Sequence, residues 1–446
     1  MRYSPYWNEK VETMPLPRLQ QLQARKLRTQ IDYLKKNSPF YRRKLKEAGI
    51  AASDIRTVAD IARLPFTTKD ELRESQLKKP PLGEHAAVPL DQVIRFHSSS
   101  GTTGRPSYVG ITERDRKRWI EIVARCYWSE GVRPTSIVIM GFGIGMFVGG
   151  LPLANAIEAI GATFVPVGTG ASDRLIATIQ DLKADIITCT PSYASYLADY
   201  AREKMGIDPK TLGIKRILCG AEPGGGVPGI RERIEELWGA VVTEATGNAD
   251  VVTVYAAECP QRTGNHFLAG DFVIPEIIDP DSGESLPIED GVEGEIVFTH
   301  IERDCVPLLR FRSRDRVVVW NKPCRCRRSG FRMRIVGRTD DMLILRGVNV
   351  FPSAIKDVVS QMRPNTTGEI QILLDQPGPR VEPPLKIQVE HGTAVDNLEA
   401  LKRYVEENLK NKLIFSPAVE LVPPGTLPRF EMKAKLIRKL YEEQRP

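Results

Sequence analysis

Nine residues near the end of the first quarter of the chain combine hydroxyl side chains with glycines: Ser98, Ser99, Ser100, Gly101, Thr102, Thr103, Gly104, Arg105 and Pro106. Glycine lets a backbone approach a ligand closely, and hydroxyls together with backbone N–H groups suit a polyphosphate. The segment lacks the Gly-Lys-Ser/Thr of a Walker A loop. A polar surface turn explains such a composition equally well, so a phosphate-binding loop is the prediction that other segments must support.

Strand-like runs flank this segment on both sides, at residues 93–97 and 108–111. Farther along the chain, apolar runs alternate with amphipathic helical patterns. The predicted strands are 137–140, 163–167, 186–189 and 217–218, and the predicted helices are 173–183, 192–204 and 229–238. This alternation is typical of βαβ units around a mainly parallel sheet.

The pattern changes at three other places. Residues 13–48 are amphipathic and predict helical structure. From about residue 267 the strands become shorter and turn signals separate them, which predicts a β-rich subdomain. The composition shifts again after Gly337-Arg338, where a tail of single-domain size begins. We therefore predict an α/β fold with a large, multi-subdomain N-terminal domain, 1–337, and a small α+β C-terminal domain, 338–446.

Composition narrows the class of protein. The 446 residues include 63 Lys and Arg against 56 Asp and Glu, and this mildly positive balance suits small anionic ligands. Short basic clusters without interleaved aromatic residues argue against nucleic acid as a partner. The uncharged run 137–157 holds too many glycines, and a proline, for a membrane helix. Seven cysteines and a start without an apolar segment predict reduced thiols in a cytoplasmic protein.

Motifs spread in order along nearly the whole chain resemble the adenylate-forming (acyl-CoA synthetase) superfamily, and within it the phenylacetate–CoA ligase-like branch. The similarity is carried by residues 6–8, 64–69, 98–106, 190–193, 220–223, 311–315, 337–342 and 345–352. Each motif alone is of modest specificity, whereas the ordered set is highly specific. The resemblance implies an N-terminal adenylate-forming domain built from parallel sheets and a β-rich part, followed by a mobile C-terminal domain.

The resemblance implies a nucleotide site made from several motifs. The polyphosphate would lie on the loop from Ser98 to Gly104, with Arg105 standing where relatives usually carry Lys. The further ATP-binding residues that it implies are Gly220, Ala221, Glu222 and Pro223 against adenine, Asp315 on the ribose hydroxyls, and Thr246, Gly247 and Arg338. A carboxylate such as that of Asp315 can accept both ribose hydroxyls.

The magnesium motif departs from the usual pattern of the family. Relatives have Tyr-Gly-x-Ser/Thr-Glu, whereas the aligned segment here begins at Thr246 and ends at Asp250, one methylene shorter than Glu. The resemblance puts Mg²⁺ on Asp250, directly or through water. Glu244 stays open as a rival ligand.

The C-terminal tail resembles the family's catalytic-lysine and CoA motifs. The alignment makes Lys433 the catalytic lysine that meets charge on the α-phosphate, with Lys435 as the alternative. It also implies a hinge at Asp340 and a CoA-channel loop. The predicted CoA-binding residues are Arg346, Gly347, Val348 and Asn349.

The acid would occupy a glycine-rich span that the resemblance identifies as the acyl-pocket wall. Its predicted lining is Phe142, Ile144, Met146 and Phe147. Because the wall is apolar, it favours an aryl or medium aliphatic acid over a charged one. Ile144 stands where relatives commonly carry Tyr.

A second candidate metal site combines Cys259, His266, Cys324 and Cys326. Three thiols and an imidazole form a closed tetrahedral set for structural Zn²⁺, and many members of the branch carry similar cysteines. The spacing is not that of a standard zinc finger, and free thiols in a loop are the alternative. Cys305 is left as a spare thiol.

The motifs together predict an AMP-forming acid–CoA ligase. A carboxylic acid and ATP would give an acyl-adenylate and pyrophosphate, and CoA would then displace AMP. Two alternatives stay open: transfer of the acyl group to a carrier protein or amine, and a catalytically silent nucleotide-binding regulator. The expected partners are the acid, ATP and CoA, without nucleic acid or membrane, and the chain would be a monomer or a homodimer.

Overall fold

The computed structural model describes residues 3–98, 107–339, 341–345, 348–430 and 434–443, with the backbone alone at Asn349. Several predicted site residues lie outside the described residues, namely Ser99, Ser100, Gly101, Thr102, Thr103, Gly104, Arg105, Asp340, Arg346, Gly347 and Lys433. For the same reason the side chain of Asn349 is not considered further.

Helices and strands alternate through most of the chain. The α-helices are α1 (Glu9–Glu12), α2 (Leu16–Asn37), α3 (Pro39–Glu47), α4 (Lys69–Lys78), α5 (Glu113–Glu130), α6 (Leu151–Ile160), α7 (Ser172–Leu182), α8 (Pro191–Met205), α9 (Pro228–Trp238), α10 (Pro352–Ser360), α11 (Leu398–Leu413) and α12 (Leu440–Glu443). The strands are β1 (Arg95–Ser98), β2 (Tyr108–Ile111), β3 (Ile137–Met140), β4 (Thr163–Val165), β5 (Ile186–Cys189), β6 (Arg216–Cys219), β7 (Val241–Asn248), β8 (Val252–Ala257), β9 (Asn265–Phe267), β10 (Val273–Ile278), β11 (Ser285–Leu286), β12 (Glu293–His300), β13 (Phe311–Trp320), β14 (Arg332–Arg338), β15 (Leu343–Leu345), β16 (Val348–Val350), β17 (Thr366–Leu374), β18 (Leu385–His391), β19 (Pro417–Val422) and β20 (Ile437–Lys439).

The chain forms two compact units. The first unit comprises Met1–Gly168 and Ala245–Arg334, and the second comprises Thr169–Glu244 and Ile335–Pro446. Strand β7 is continuous through one of these divisions and β14 through another. The domain boundary predicted at 337/338 rests on sequence composition, whereas these units follow backbone contacts, so that boundary stays a prediction.

The first unit contains the β-rich region. Strands β11, β10, β12 and β13 pair antiparallel in that order, and β8 pairs antiparallel with both β9 and the end of β7. The two strands beside the phosphate-loop motif, β1 and β2, form an antiparallel pair. Helices α2 and α3 bury Leu27, Ile31 and Tyr41 in one apolar cluster with Ile274 and Leu309. This cluster anchors the N-terminal helices against the β-rich region.

The helical structure predicted over 13–48 is present as two helices, because α2 ends and α3 begins at Ser38. The Ser38 hydroxyl accepts a hydrogen bond from the backbone N–H of Tyr41 and caps α3. Pro39 occupies the first position of α3 and cannot donate the hydrogen bond that would continue α2. The helical periodicity in the sequence runs from Leu16 to Leu34, all within α2, so it did not indicate where the helical region divides.

The parallel strands that the alternating pattern predicted are divided between the units: β3 and β4 pair in parallel in the first unit, and the others lie in the second. Strands β5, β6 and the first half of β7 pair in parallel, with α8 and α9 in the connections. The C-terminal part of the second unit has a four-stranded sheet in the order β19-β18-β17-β20, in which parallel and antiparallel pairs are mixed. Helices α10 and α11 pack on this sheet around Ile355, Val359, Ile372, Val389 and Val405, all of which are fully buried or nearly so.

Among the described residues, the helices are too short or too polar to cross a membrane. The uncharged run 137–157 forms strand β3 and the first turns of α6, joined by the glycine-rich span.

Candidate active site

The segment predicted to hold Mg²⁺ begins in strand β7 and ends in the tight connection to β8. A Cβ atom at Gly247 would lie 1.6 Å from the carbonyl oxygen of Thr253, so only glycine lets the two strands approach here. The amide of Asn265 on β9 donates a 2.8 Å hydrogen bond to the hydroxyl of Thr246. These contacts fix the backbone of the motif from two neighbouring strands.

Asn248 brings two predicted site residues together. Its side-chain oxygen accepts a 2.9 Å hydrogen bond from the backbone N–H of Asp250, and its side-chain nitrogen lies 3.5 Å from a carboxylate oxygen of Asp315. The Ser313 hydroxyl also accepts a hydrogen bond from the Asp315 N–H. The carboxylate predicted to hold ribose and the motif predicted to hold Mg²⁺ therefore occupy one site in the first unit.

Asp250 forms an ion pair with Lys69. The Lys69 ammonium lies 2.6 Å from each of the two carboxylate oxygens, and both side chains are largely buried. Lys69 is the first residue of α4, where a positive charge opposes the helix dipole, so the Asp250 carboxylate compensates it. Lys69 lies in the family motif 64–69 but had no predicted role, and its position directly after the capping residue Thr68 was the available signal.

The predicted acyl wall is tied to the start of the phosphate-loop motif. The backbone carbonyl of Met146 accepts a 3.0 Å hydrogen bond from the N–H of Ser98, and it lies 3.2 Å from Nδ1 of His97. His97 is buried and stacks on Trp119. Burial lowers the pKa of His97 to about 4, so the neutral ring donates from Nδ1 to this carbonyl. Sequence reasoning gave His97 no role.

The side chains of the acyl wall differ in exposure. Phe142 is buried, Ile144 and Phe147 are partly exposed to solvent, and Met146 is 49% exposed. A Cβ atom at Gly150 would clash with the backbone of Gly143 and Ile144, at 2.8 and 2.9 Å. The glycine span is therefore folded tightly on itself, with the carbonyl of Met146 directed to the β1 strand.

The predicted adenine segment, Gly220–Pro223, lies in the second unit after strand β6. Ala221 adopts a left-handed backbone conformation with φ of 70°, which is unusual for a residue other than glycine. The carboxylate of Glu222 accepts hydrogen bonds from the backbone N–H of Ser192 at 2.8 Å and from that of Ala434 at 2.6 Å. The structure thus joins the adenine motif to the residue that follows Lys433 in the sequence.

Glu244, the rival magnesium ligand, holds the same loop. Its carboxylate accepts a hydrogen bond from the N–H of Gly224, and a Cβ atom at Gly226 would lie 2.4 Å from one of its oxygens. Glu244 therefore has a structural task in the second unit, whereas Asp250 lies with Asp315 in the first.

The remaining predicted residues of the tail can be placed only in part. Arg338 is partly exposed at the end of β14, and its carbonyl accepts a hydrogen bond from the N–H of Asp341. Val348 begins β16, which pairs with β15 in a short antiparallel ladder. Lys435, the predicted alternative to Lys433, is exposed.

The four predicted zinc ligands converge in the first unit. One ligand atom from each of Cys259, His266, Cys324 and Cys326 lies within 4.8 Å of the others. The Sγ atoms of Cys259 and Cys324 are 3.7 Å apart, and Sγ of Cys326 is 3.3 Å from Nε2 of His266. Tetrahedral zinc with Zn–S bonds near 2.3 Å requires S···S separations of about 3.8 Å. The donor set fits Zn²⁺.

Electrostatics within this cluster favour a thiolate. Hydrogen bonding from the Cys259 thiol and from His266 holds the pKa of Cys326 well below its usual value, and the same contact raises the pKa of Cys259. Nδ1 of His266 lies 3.2 Å from the carbonyl oxygen of Gly330, which orients Nε2 toward the sulfurs. The Tyr6 hydroxyl and the carbonyl of Cys326 are joined by a 2.9 Å hydrogen bond, which ties the cluster to the N-terminal segment.

Comparison with known proteins shows the family of the chain. The family described as AMP-binding enzyme matches residues 19–301, and the AMP-binding enzyme C-terminal domain matches residues 347–439. The first of these matches covers more than half of the chain. The chain belongs to the AMP-binding enzyme family.

Individual members of the family resemble the chain over nearly its full length. It is 37% identical to the phenylacetate-coenzyme A ligase of Thermus thermophilus, over 97% of both chains. It is 33% identical to the enzyme of the same name from Escherichia coli, over 95% of both chains. In the crystal structure of a 2-hydroxyisobutyryl-CoA ligase in its postadenylation state, 94% of that chain superposes on 99% of this one, with a TM-score of 0.91 and 30% identity.

Family membership confirms the α/β fold, the resemblance to the phenylacetate–CoA ligase-like branch and the class of reaction. This AMP-binding enzyme is an AMP-forming acid–CoA ligase, and it uses ATP and CoA. The individual residue roles stay predictions, supported to different degrees by the contacts above.

Proposed function

We propose that this enzyme activates an aryl or medium aliphatic carboxylic acid, with a phenylacetate-like acid favoured, and transfers its acyl group to CoA. In the first half-reaction the carboxylate attacks the α-phosphorus of ATP and pyrophosphate leaves. In the second, the CoA thiol attacks the acyl carbon and AMP leaves. Identity of 37% and 33% to two enzymes named phenylacetate-coenzyme A ligase supports this acid.

One observation carries the proposal. Asn248 contacts both the backbone N–H of Asp250 and the carboxylate of Asp315, which supports a site where the residue predicted to bind Mg²⁺ and the residue predicted to bind ribose are neighbours. A nucleoside triphosphate requires these two functions at neighbouring points, because the ribose and the phosphates are adjacent parts of the molecule. If residues 246–250 formed only a surface turn, Asp250 would not need to be buried or paired with the Lys69 ammonium.

Each residue has a separate task in this proposal. Asp315 accepts hydrogen bonds from the ribose hydroxyls, and Gly220–Pro223 border the adenine. Asp250 would hold Mg²⁺, which when bound neutralises charge on the phosphates. Lys433 stabilises negative charge on the α-phosphate during attack by the carboxylate. Lys69 orients the Asp250 carboxylate through the ion pair between them.

The acid would lie against Phe142, Ile144 and Phe147. Aromatic side chains stack on an aryl ring and pack against a short alkyl chain, and they do not compensate a second charge. The hydrogen bond between the Ser98 N–H and the Met146 carbonyl holds this wall next to the first residue of the predicted phosphate loop.

We also propose that Cys259, His266, Cys324 and Cys326 hold a structural Zn²⁺. The 3.7 Å separation of two sulfurs and the oriented imidazole support it. Four protein ligands leave no open position for substrate, so such an ion would act on stability and not on chemistry.

The test is acid-dependent ATP–pyrophosphate exchange over a panel of aryl and aliphatic carboxylates, followed by addition of CoA with the best acid. Exchange that peaks with phenylacetate-like acids, together with CoA-dependent release of AMP, is the expected result. Exchange without a response to CoA would indicate a carrier protein or an amine as acceptor. ATP binding without exchange for any acid would indicate a silent nucleotide-binding regulator.

A further inference from the structure

A cleft in the second unit brings together three cationic side chains. Its wall includes Arg233 on α9, Lys356 on α10 and Arg363, which follows α10. All three belong to the second unit. Glu369 is the only carboxylate among the described residues that line the cleft. The wall therefore carries an excess of positive charge.

Arg363 is the cation with the least compensation. Among the described residues, its guanidinium group forms no hydrogen bond and no ion pair, and its Nε atom is buried without an acceptor. The group lies against the backbone turn at Gly368, where a Cβ atom would be 2.7 Å from Nη2. Burial and the nearby cation Arg233 lower the pKa of Arg363 to about 10, so the side chain still carries its charge at neutral pH.

Arg233 presents a second N–H group without an acceptor. Its Nη1 atom lies 3.1 Å from a carboxylate oxygen of Glu236, but that side chain is 70% exposed, so the ion pair is weak. The Nε atom of Arg233 is buried and has no acceptor among the described residues. A buried donor without an acceptor is costly, so two guanidinium groups in this cleft need an acceptor from elsewhere.

The carboxylates near the cleft do not supply it. Glu369 pairs with Lys356 at 3.3 Å. Asp199 on α8 faces the same cations, and burial raises its pKa, but it forms no ion pair with them within the described part of the chain. Arg429, a further cation on this side, is paired with Glu390. The positive charge of the cleft is thus left without a matching anion.

The chemistry of the cleft fits a phosphate group. Guanidinium groups bind phosphate through directed, charge-assisted hydrogen bonds, and an ammonium group adds charge. The hydroxyls of Ser192 and Ser195 line the same cleft and can donate to phosphate oxygens. A water molecule would accept the N–H groups but would not offset the repulsion between the two cations. The cleft occupies about 350 Å³, including space open to solvent through which a ligand can enter.

We propose that Arg233, Lys356 and Arg363 form a binding site for a phosphate group, separate from the predicted ATP site. Two participants in the reaction offer such a group: CoA, through the 3′-phosphate of its nucleotide, and the pyrophosphate that leaves ATP. Because Arg233 lies on α9 and the other two cations lie on α10 and just after it, a bound phosphate holds these helices together. The site does not depend on which acid the enzyme activates.

The first experiment is calorimetric titration of inorganic phosphate into the full chain saturated with magnesium and α,β-methylene-ATP. This analogue cannot be cleaved between its α- and β-phosphates, and it occupies the predicted ATP site. That control is needed because Pro223, the last residue of the predicted adenine segment, also lines the cleft. We expect phosphate to bind, and Arg363→Met to weaken its binding by roughly tenfold or more. Arg403→Met, on the exposed side of α11, is the matched control and should bind phosphate like the wild type.

Urea denaturation in phosphate-free buffer gives a second readout. Arg363→Met removes a cation that has no counter-ion, so the variant should be at least as stable as the wild type. Added phosphate, compared with chloride at equal ionic strength, should stabilise the wild type and not the variant. A structural ion pair of Arg363 would have the opposite effect, since its removal would lower stability without phosphate.

A comparison of CoA with dephospho-CoA, which lacks the 3′-phosphate, identifies the source of the phosphate group. If the source is CoA, the wild type should bind CoA roughly tenfold more tightly than dephospho-CoA, and Arg363→Met should abolish the difference. Equal affinities, together with binding of phosphate and pyrophosphate, would assign the site to a free phosphate or pyrophosphate. Either result supports the site.

Four results would overturn the inference. They are absence of phosphate binding by the wild type, equal binding by Arg363→Met, binding that disappears when the ATP analogue is present, and a marked loss of stability of Arg363→Met in phosphate-free buffer. The third would assign the cleft to the ATP site. All these measurements are made without an acid, so failure of the proposed function in the exchange assay is distinguishable from failure of this inference.

Discussion

The ammonium group of Lys69 lies 2.6 Å from both carboxylate oxygens of Asp250, and the two residues are 181 positions apart in the sequence. The side chains are 15% and 11% exposed, so water screens the pair only weakly. The carboxylate predicted to hold Mg²⁺ is thus already compensated by a cation of the protein. Lys69 and Asp250 therefore depend on each other for stability as well as for any role in catalysis.

The Lys69→Met variant should be clearly less stable than the wild type. It leaves the Asp250 carboxylate buried without its cation, which costs about 3 kcal/mol or more for such pairs. Urea denaturation measures the loss. Lys44→Met is the matched control, because Lys44 pairs with the more exposed Glu71 and should cost at most about 1 kcal/mol. The double variant Lys69→Met/Asp250→Asn should recover stability, and equal costs for the two lysine variants would contradict the argument.

Asp250 and Glu244 can be distinguished as magnesium ligands by titration of Mg²⁺ in the exchange assay. We expect Asp250→Asn to lower the rate of exchange and to raise the Mg²⁺ concentration needed for half-maximal rate. Glu244→Gln should leave that concentration unchanged, because Glu244 holds the loop at Gly224. A raised Mg²⁺ requirement in Glu244→Gln alone would transfer the role to Glu244.

The Cys/His cluster predicts about one equivalent of zinc per chain, to be measured by elemental analysis of the purified protein. Cys326→Ser should lose most of the metal and lower the Tm, because the remaining donors cannot close the site. Cys305→Ala is the control: this buried thiol belongs to no described cluster of metal ligands, so the zinc content should not change. Fully folded wild-type protein without zinc would refute the site.

Three buried histidines predict a loss of stability in acid. Burial lowers the pKa of His85 and His97 to about 4 and that of His300 to about 3, against about 6.5 in an unfolded chain. Between these values the unfolded chain binds protons that the folded protein does not bind. Stability is therefore present above pH 6.5 and falls as the pH drops toward 4, by up to about 1.4 kcal/mol per unit for each histidine.

Urea denaturation at pH 7 and pH 5 tests this expectation. The difference in unfolding free energy between the two values should be smaller in His85→Gln than in the wild type, since one titrating group has been removed. The same difference in both proteins would show that His85 does not contribute to the acid sensitivity.

Gly247→Ala should disrupt the magnesium motif. The new methyl group would lie 1.6 Å from the backbone oxygen of Thr253, and a backbone atom cannot rotate out of the way. We expect a markedly lower Tm or failure to fold. Gly145→Ala is the matched control for stability, because the space around a Cβ at Gly145 is open to 4 Å. An unchanged Tm in Gly247→Ala would contradict the close approach of β7 and β8.

The sequence by itself determined the class of fold and the family. Strand bounds predicted at 137–140 and 186–189 agree with β3 and β5. Buried parallel strands form short apolar runs, which can be recognised in the sequence without knowledge of tertiary contacts. The ordered motifs indicated an acid–CoA ligase, and the Cys/His set was named from residue types, their spacing and the resemblance to the branch. These features depend on neighbouring residues in the sequence or on the chemistry of particular residue types, so they can be predicted before the structure is known.

Tertiary structure alone decided which of these residues meet. The pair of Lys69 and Asp250 and the hydrogen bond between Glu222 and Ala434 span 181 and 212 positions, and no periodicity encodes such contacts. The break at Ser38 was not predicted either, because the helical periodicity from Leu16 to Leu34 ends before it. Helix and strand propensities and the spacing of apolar residues reflect interactions between residues that are near each other in the sequence. The partner of a buried charge is set by packing of distant elements, where an unpaired ion costs most.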